Sequence, residues 1–146
     1  WFNRWYLTCY RYLSYSKKDL KNILENITTI AMIGASSNPD RDSFKVMKYL
    51  IEKGYKVFPV NPNETKNKIH NIECFPNLSS IPHDIDMVDI FRSKEFVMEI
   101  TLDAIKADVK VIWTQEGIID KKSADLAKNA GIIFIMNECP KKILEN

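Results

Sequence analysis

The sequence predicts an α/β domain: a Rossmann-like, doubly wound, parallel five-stranded sheet. Three observations carry that prediction. Short apolar runs alternate with amphipathic stretches along most of the chain, the order expected of a parallel sheet with helices on both faces. The runs are nearly continuous in Ile, Val, Met and Phe, as strands buried on both faces should be. The 146 residues, 45% of them hydrophobic, suffice for about one core.

The elements follow in order. Residues 17–26 read as a short amphipathic helix, with Leu20, Ile23, Leu24 and Ile27 at helical spacing. Thr29–Ile33 is a first buried strand, bounded by Gly34. Ser43 is the expected N-cap of a helix over 44–53, with Phe44, Met47, Leu50 and Ile51 as its buried stripe and Gly54 at C′. Lys56–Val60 is a second strand, stopped by Pro62. Residues 61–82 form a polar, proline-punctuated connection, from which Ile81 and Pro82 introduce a third strand at Met87–Ile90. Ser93 caps a helix over 94–106, and 109–113 is the fourth strand. A helix over 121–129 closes at Gly131, and 132–136 is the fifth strand. Right-handed crossovers favour an open sheet, for which the expected strand order is 3-2-1-4-5.

Charge divides the chain into an arm, residues 1–16, and a domain, residues 17–146. Residues 1–18 carry Arg4, Arg11, Lys17 and Lys18 and no acid, so the rest sums to −2 of the overall +2. The arm is crowded with Trp1, Phe2, Trp5, Tyr6, Tyr10, Tyr12 and Tyr15. It reads best as packed on the domain or on a second subunit. An acid-free basic start also suits an organelle-targeting peptide, and the first residue is Trp1 rather than Met. No apolar run reaches the roughly 18 residues of a membrane span. The small net charge makes no case for nucleic acid. Cys9, Cys74 and Cys139 are far apart and form no CxxC pair, so neither a zinc site nor a disulfide framework is expected. A reducing, cytoplasmic compartment fits.

Ligands of such sheets bind beyond the carboxyl ends of the strands, at the switch point. The first strand is followed there by Gly34-Ala35-Ser36-Ser37-Asn38-Pro39-Asp40-Arg41. Gly34 permits a tight turn, and Ser36, Ser37 and Asn38 offer hydrogen bonds. The next helix aims its positive end at the same place, and Arg41 adds a fork suited to phosphate. The plainer reading is an ordinary strand–helix turn with Arg41 in solvent or paired to Asp40 or Asp42. The second strand ends in Asn61-Pro62, without the acid that commonly holds the ribose of NAD. Asn61 would accept a ribose phosphate, with Lys66 and Lys68 nearby, although Glu64 weakens that argument.

Catalytic candidates are few. His70 and His83 read as solvated loop residues. Asp84, Asp86 and Asp89 near the third strand would suit Mg²⁺, or form a strand entrance with one acid facing the edge. No resident metal is expected. Cys139 is the one reactive group at the binding edge. It is either structural or, with a lowered pKa, able to exchange disulfides with a thiol ligand.

The set "IAMIGASSNPDRDS", "VFPVNPN", "CFPNLSSIP", "MVDIFR", "VIWTQEGI" and "MNECPK" resembles the small stand-alone CoA-binding proteins. These are similar to the CoA-binding domain of the succinyl-CoA synthetase alpha subunit. The resemblance runs from about residue 18 to 143 and implies coenzyme A as cofactor. It implies that Gly34, Ala35, Ser36, Asn38 and Arg41 cradle the diphosphate, together with Ser37 of the same turn. It further implies that Asn61 and Pro62 line the adenosine side, that Phe91 and Arg92 border the cleft, and that Trp113, Gln115, Glu116 and Gly117 lie along the pantetheine arm. Cys139 matches the cysteine this family often has after its last strand. Two positions depart. Asn71 stands where a glycine is usual, and Asn is the next best residue for a left-handed backbone. Glu138 replaces a common arginine and would disfavour a thiolate at Cys139. A chain of this length has no room for the phosphohistidine domain or ATP-grasp partner of the larger synthetases.

Three readings follow. The leading one is a CoA or acyl-CoA binding module with no established catalysis. The second is an acyl-transfer or thiol-exchange enzyme using Cys139, with Glu116 as acid or base. The third is a ligand-sensing regulatory or NAD-binding Rossmann protein. A homodimer is the expected assembly.

Overall fold

The structure is a computed structural model that describes residues 15–145. The aromatic arm therefore lies outside the described residues, Tyr15 and Ser16 apart. The elements are α1 (Lys17–Glu25), β1 (Thr29–Ile33), α2 (Asp42–Glu52), β2 (Lys56–Val60), β3 (Lys68–Ile69), β4 (Ile72–Glu73) and β5 (Met87–Ile90). They continue with α3 (Val97–Lys106), β6 (Val111–Thr114), α4 (Lys121–Asn129), β7 (Ile133–Ile135) and α5 (Pro140–Glu145). Short 3₁₀ turns at Leu78–Ser80 and Lys94–Phe96 precede β5 and α3.

Five parallel strands form the main sheet in the order β2-β1-β5-β6-β7. Alternate residues feed two cores. Ile30, Met32, Met87, Val111, Trp113 and Ile135 face α1, α2 and α5, which bring Leu20, Leu24, Met47, Leu50 and Ile143. Ala31, Val88, Ile90, Ile112 and Phe134 face α3 and α4, which bring Val97, Ala104, Ala124 and Ala127. The doubly wound α/β class is as expected, with a core on each face of the main sheet.

The strand order corrects the expected one. Counting only the five sheet strands, the order is 2-1-3-4-5, with the third strand beside the first. Pro59 shows why. Its carbonyl points away from β1 and accepts from Phe75 N at 2.9 Å, so its missing N–H lies on the same outer side. Proline is tolerated on an edge strand and not between two partners. An order with this strand inside the sheet would leave a ladder acceptor without its donor. The third strand is also pinned to the first at its entrance. Asp86 Oδ2 accepts from Thr28 N (2.8 Å) and Thr29 N (3.3 Å), and Asp86 N donates to Thr29 Oγ1 at 2.9 Å.

Other boundaries shift for local reasons. The α2 helix begins at Asp42, with Arg41 at the N-cap position and no side-chain cap bond, so Ser43 is a buried helical residue rather than the cap. Val46 joins its buried stripe, while Phe44 and Ile51 are half-buried. Ser93 precedes a 3₁₀ turn and makes no side-chain cap bond. The long connection contains the β3–β4 hairpin, turned by His70 (φ +51°) and Asn71 (φ +66°). Two positive-φ residues are what such a tight hairpin requires, and Asn71 supplies one in place of glycine. The α5 helix was not anticipated. Pro140 opens it, a position where proline's missing donor costs nothing.

Candidate functional site

The switch point lies between β1 and β5, whose carboxyl ends touch. Phe91 N donates to Ile33 O at 2.7 Å. Gly34 sits against that junction with φ +89°. A Cβ there would lie 2.4 Å from Phe91 O and 3.0 Å from Arg92 Cδ. Glycine is therefore required twice, for backbone hand and for space. Gly34 N and Ala35 N both donate to Val60 O, tying the turn to β2.

Beyond Gly34 the turn is organised by its own polar groups. Asn38 N donates to Ser36 Oγ at 3.1 Å, Asp40 N to Asn38 Oδ1 at 3.0 Å, and Arg41 N to Asn38 O at 3.1 Å. The loop after β2 braces it from outside. Glu64 accepts from Ser37 N and Ser37 Oγ, and Asn61 Nδ2 donates to Ala35 O at 2.8 Å. Asn61 Oδ1 is taken by Asn63 N. Each carboxylate oxygen of Glu64 thus accepts one bond from the turn.

Three cavities meet along this edge. The central one, about 570 Å³, is lined by Gly34, Ser36, Asp40, Arg41, Asp42, Ser43, Asn61, Asn63, Phe91 and Arg92. Through Phe91 and Asp42 it adjoins one of about 420 Å³ that includes Lys45, Val46, Gln115, Glu116, Cys139, Lys141 and Lys142. Through Gly34 and Arg92 it adjoins a smaller one, about 170 Å³, walled by Ile33, Val60, Pro62, Leu78 and Ile100, with Asn77, Glu99 and Asp103. The result is a cleft with a polar centre, a thiol at one end and an apolar chamber at the other. Another cavity, about 540 Å³, lies beside His83, Asp84 and Lys106 and contains none of the expected site residues.

The structure thus brings together Gly34, Ser36, Arg41, Asn61, Pro62, Phe91, Arg92, Gln115, Glu116 and Cys139. It places others elsewhere. Trp113 is fully buried, with Nε1 donating to Glu138 O at 2.8 Å. Ala35 is buried, Ser37 has both donors on Glu64, and Gly117 N donates to Asn137 Oδ1 at 2.6 Å. Asn38 acts within the turn. Strand alternation would have put Trp113 with Val111 on the inner face. The lining from Asn63, Glu99 and Asp103 was missed. Glu99 and Asp103, four apart on α3, share a helix face and were legible as a pair.

Burial raises the Cys139 thiol pKa, and Asp89 and Glu116 add to it against the helix amides of Lys142 and Lys141. The thiol-exchange reading needed a lowered value. Burial also raises the Glu138 carboxyl, with Glu116 adding to it. Asp89 is fully buried. It accepts from Gln115 Nε2 through Oδ1, its Oδ2 has no partner, and burial pushes its carboxyl well above the usual range. His70 Nε2 lies 3.0 Å from Phe44 O, and His83 stacks on Phe58 with ring centroids 5.0 Å apart. Among the described residues no cluster of His, Cys, Asp and Glu could hold a metal ion, and no helix is long and apolar enough to cross a membrane.

The fold and cleft define a doubly wound α/β domain with a polar cleft at its switch point. The chain belongs to the CoA binding domain family, whose model matches residues 28–145. It is 32% identical over 126 residues to uncharacterized protein YneT of Bacillus subtilis (strain 168), covering 86% of this chain and 92% of that one. It is 30% identical over 130 residues to acetate–CoA ligase (ADP-forming) II of Archaeoglobus fulgidus, covering 81% of this chain but only 19% of that enzyme. Among solved structures, a hypothetical protein from Pyrococcus horikoshii OT3 superimposes with a TM-score of 0.85 at 36% identity, over 90% of this chain and 92% of that one.

Proposed function

We propose that this chain binds coenzyme A along the carboxyl edge of the sheet. The observation that carries the reading is the start of α2. No side chain caps this helix, and its first residues, Asp42 and Ser43, line the same polar cavity as Ser36, Arg41 and Arg92. Uncapped helix amides with the helix dipole behind them form a site for an anion. The diphosphate occupies this centre. The adenosine extends toward Pro62 and the small apolar chamber, and the pantetheine arm toward Gln115, Glu116 and Cys139. Family membership supports the same ligand. The raised Cys139 pKa supports a thiol that neighbours the ligand without attacking it.

Gly34, Ser36, Arg41, Asn61, Pro62, Phe91, Arg92, Gln115, Glu116 and Cys139 line the cleft that would take it. Ala35, Ser37, Asn38 and Gly117 support the loops, and Trp113 supports the sheet beneath. The test is thermal unfolding with CoA, NAD and ATP compared. Ligand at 100 times its dissociation constant adds about 2.7 kcal/mol of stability. CoA is expected to give the largest upshift. An upshift with NAD and none with CoA would overturn the reading.

A further inference from the structure

Arg92 is held at two points. Its stem passes over the Gly34 backbone, with Cδ 3.0 Å from where a glycine Cβ would stand. Its guanidinium carbon lies 4.0 Å from the centroid of the Phe96 ring. Between those points it lines both the central and the small cavity. Among the described residues no carboxylate forms a salt bridge with it. A guanidinium held over an aromatic ring keeps its in-plane N–H edges for a bidentate acceptor. Phe96, in turn, belongs to neither core cluster, so core packing does not account for this half-buried aromatic.

The charges of the central cavity make Arg92 decisive. Arg41 and Arg92 face Asp40 and Asp42 there, so the formal charges cancel. Without Arg92 the lining is net negative and repels a diphosphate. We propose that Phe96 is a positioning residue that stacks Arg92 at the seam of the two cavities, and that Arg92 is the cation on which diphosphate binding depends. This rests on the coenzyme A reading, but its chemistry is that of any adenosine diphosphate group.

The experiment is titration calorimetry of the full chain with CoA, ADP and pantetheine at low and high salt, using Arg92→Ala, Phe96→Leu and Phe96→Tyr. Loss of the charged fork is expected to weaken CoA and ADP tenfold or more and to flatten their salt dependence. Loss of the stacking ring in Phe96→Leu should weaken both about two- to fivefold, the size of an exposed cation–π contact. Phe96→Tyr should restore wild-type affinity. Pantetheine, which has no phosphate, should bind all variants alike, with unchanged denaturation midpoints. Binding of CoA that ignores Arg92→Ala or Phe96→Leu, or that falls equally in Phe96→Leu and Phe96→Tyr, overturns the proposal and leaves coenzyme A as ligand. Binding of ADP with the expected variant pattern, but none of CoA, overturns the coenzyme A reading and leaves this proposal standing. Binding of neither overturns both.

Discussion

At the amino edge of the sheet, the amides of Thr28 and Thr29 both end on the carboxylate of Asp86, with Lys110 Nζ 3.4 Å from its other oxygen. At the carboxyl edge, the first amides of α2 meet no side-chain cap, and Asp89, buried within β5, has an oxygen with no partner. The acid at the amino edge has its partners, and the acid inside the strand lacks one. Partial burial pushes the Asp86 carboxyl up, but the Thr28 and Thr29 amides and Lys110 outweigh it, so its pKa is lowered. Asp89 has a single carboxamide to set against complete burial, and its pKa is raised. The two acids thus shift in opposite directions because Asp86 has two amides and a lysine to set against its burial and Asp89 has one carboxamide.

The largest expected effect is at the open edge. Gly34→Ala meets Phe91 O at 2.4 Å with a positive φ, and should cost about 2–4 kcal/mol in urea unfolding from the strained backbone and the overlap together. It should also abolish CoA binding. Asp86→Ala breaks the closed edge and should cost about 1.5–3 kcal/mol, as for hydrogen bonds to a charged group, while leaving the CoA dissociation constant unchanged. Weakened CoA binding in this variant would show that the two edges are coupled.

The two acids should then separate by pH. Asp86, with its folded pKa below the unfolded value, contributes stability that is present above about pH 4 and lost as pH falls through the folded pKa. Asp89, with its folded pKa raised, contributes stability that is present below about pH 4 and lost as pH rises, by up to about 1.4 kcal/mol per unit until the folded pKa is passed. Stability measured from pH 3 to 8 should therefore flatten on the acid side in Asp86→Asn and on the neutral side in Asp89→Asn. Parallel curves for wild type and Asp89→Asn would show that Asp89 is ionised in the fold. Gly54→Ala is the milder glycine test. Nothing lies within 4 Å of its Cβ position, so the φ of +100° alone should cost about 1 kcal/mol. The smallest effect is Glu116→Gln. Its pair with Lys142 is exposed on both sides, and thermal unfolding should move by less than about 0.5 kcal/mol.

Much of the fold was legible because strands buried on both faces leave unmistakable apolar runs, and α1, β1, β2, β5 and α4 fall where the pattern puts them. The order of strands was legible too, in Pro59, but an apolar run attracts attention and its one missing donor does not. The α2 start was misread because Ser43 is a good cap by composition, whereas this helix begins at Asp42 and has no side-chain cap. Of the site, the turn from Gly34 to Arg41 could be read from residue types alone. The bracing of Ser37 by Glu64 could not, since their separation along the chain is bridged only by folding. Nor could the burial of Trp113, whose place in a motif suggested a ligand and whose strand phase pointed to the core.

Pro59 also sets how this sheet can be misassembled. A foreign strand arriving beside β2 finds Pro59 without a donor and its carbonyl already taken by Phe75. Growth from that side is self-terminating. The opposite border, where Ile133 is 36% exposed on β7, has no such stop. With one edge stopped, edge-to-edge pairing of folded domains can join β7 to β7 but cannot propagate beyond two copies.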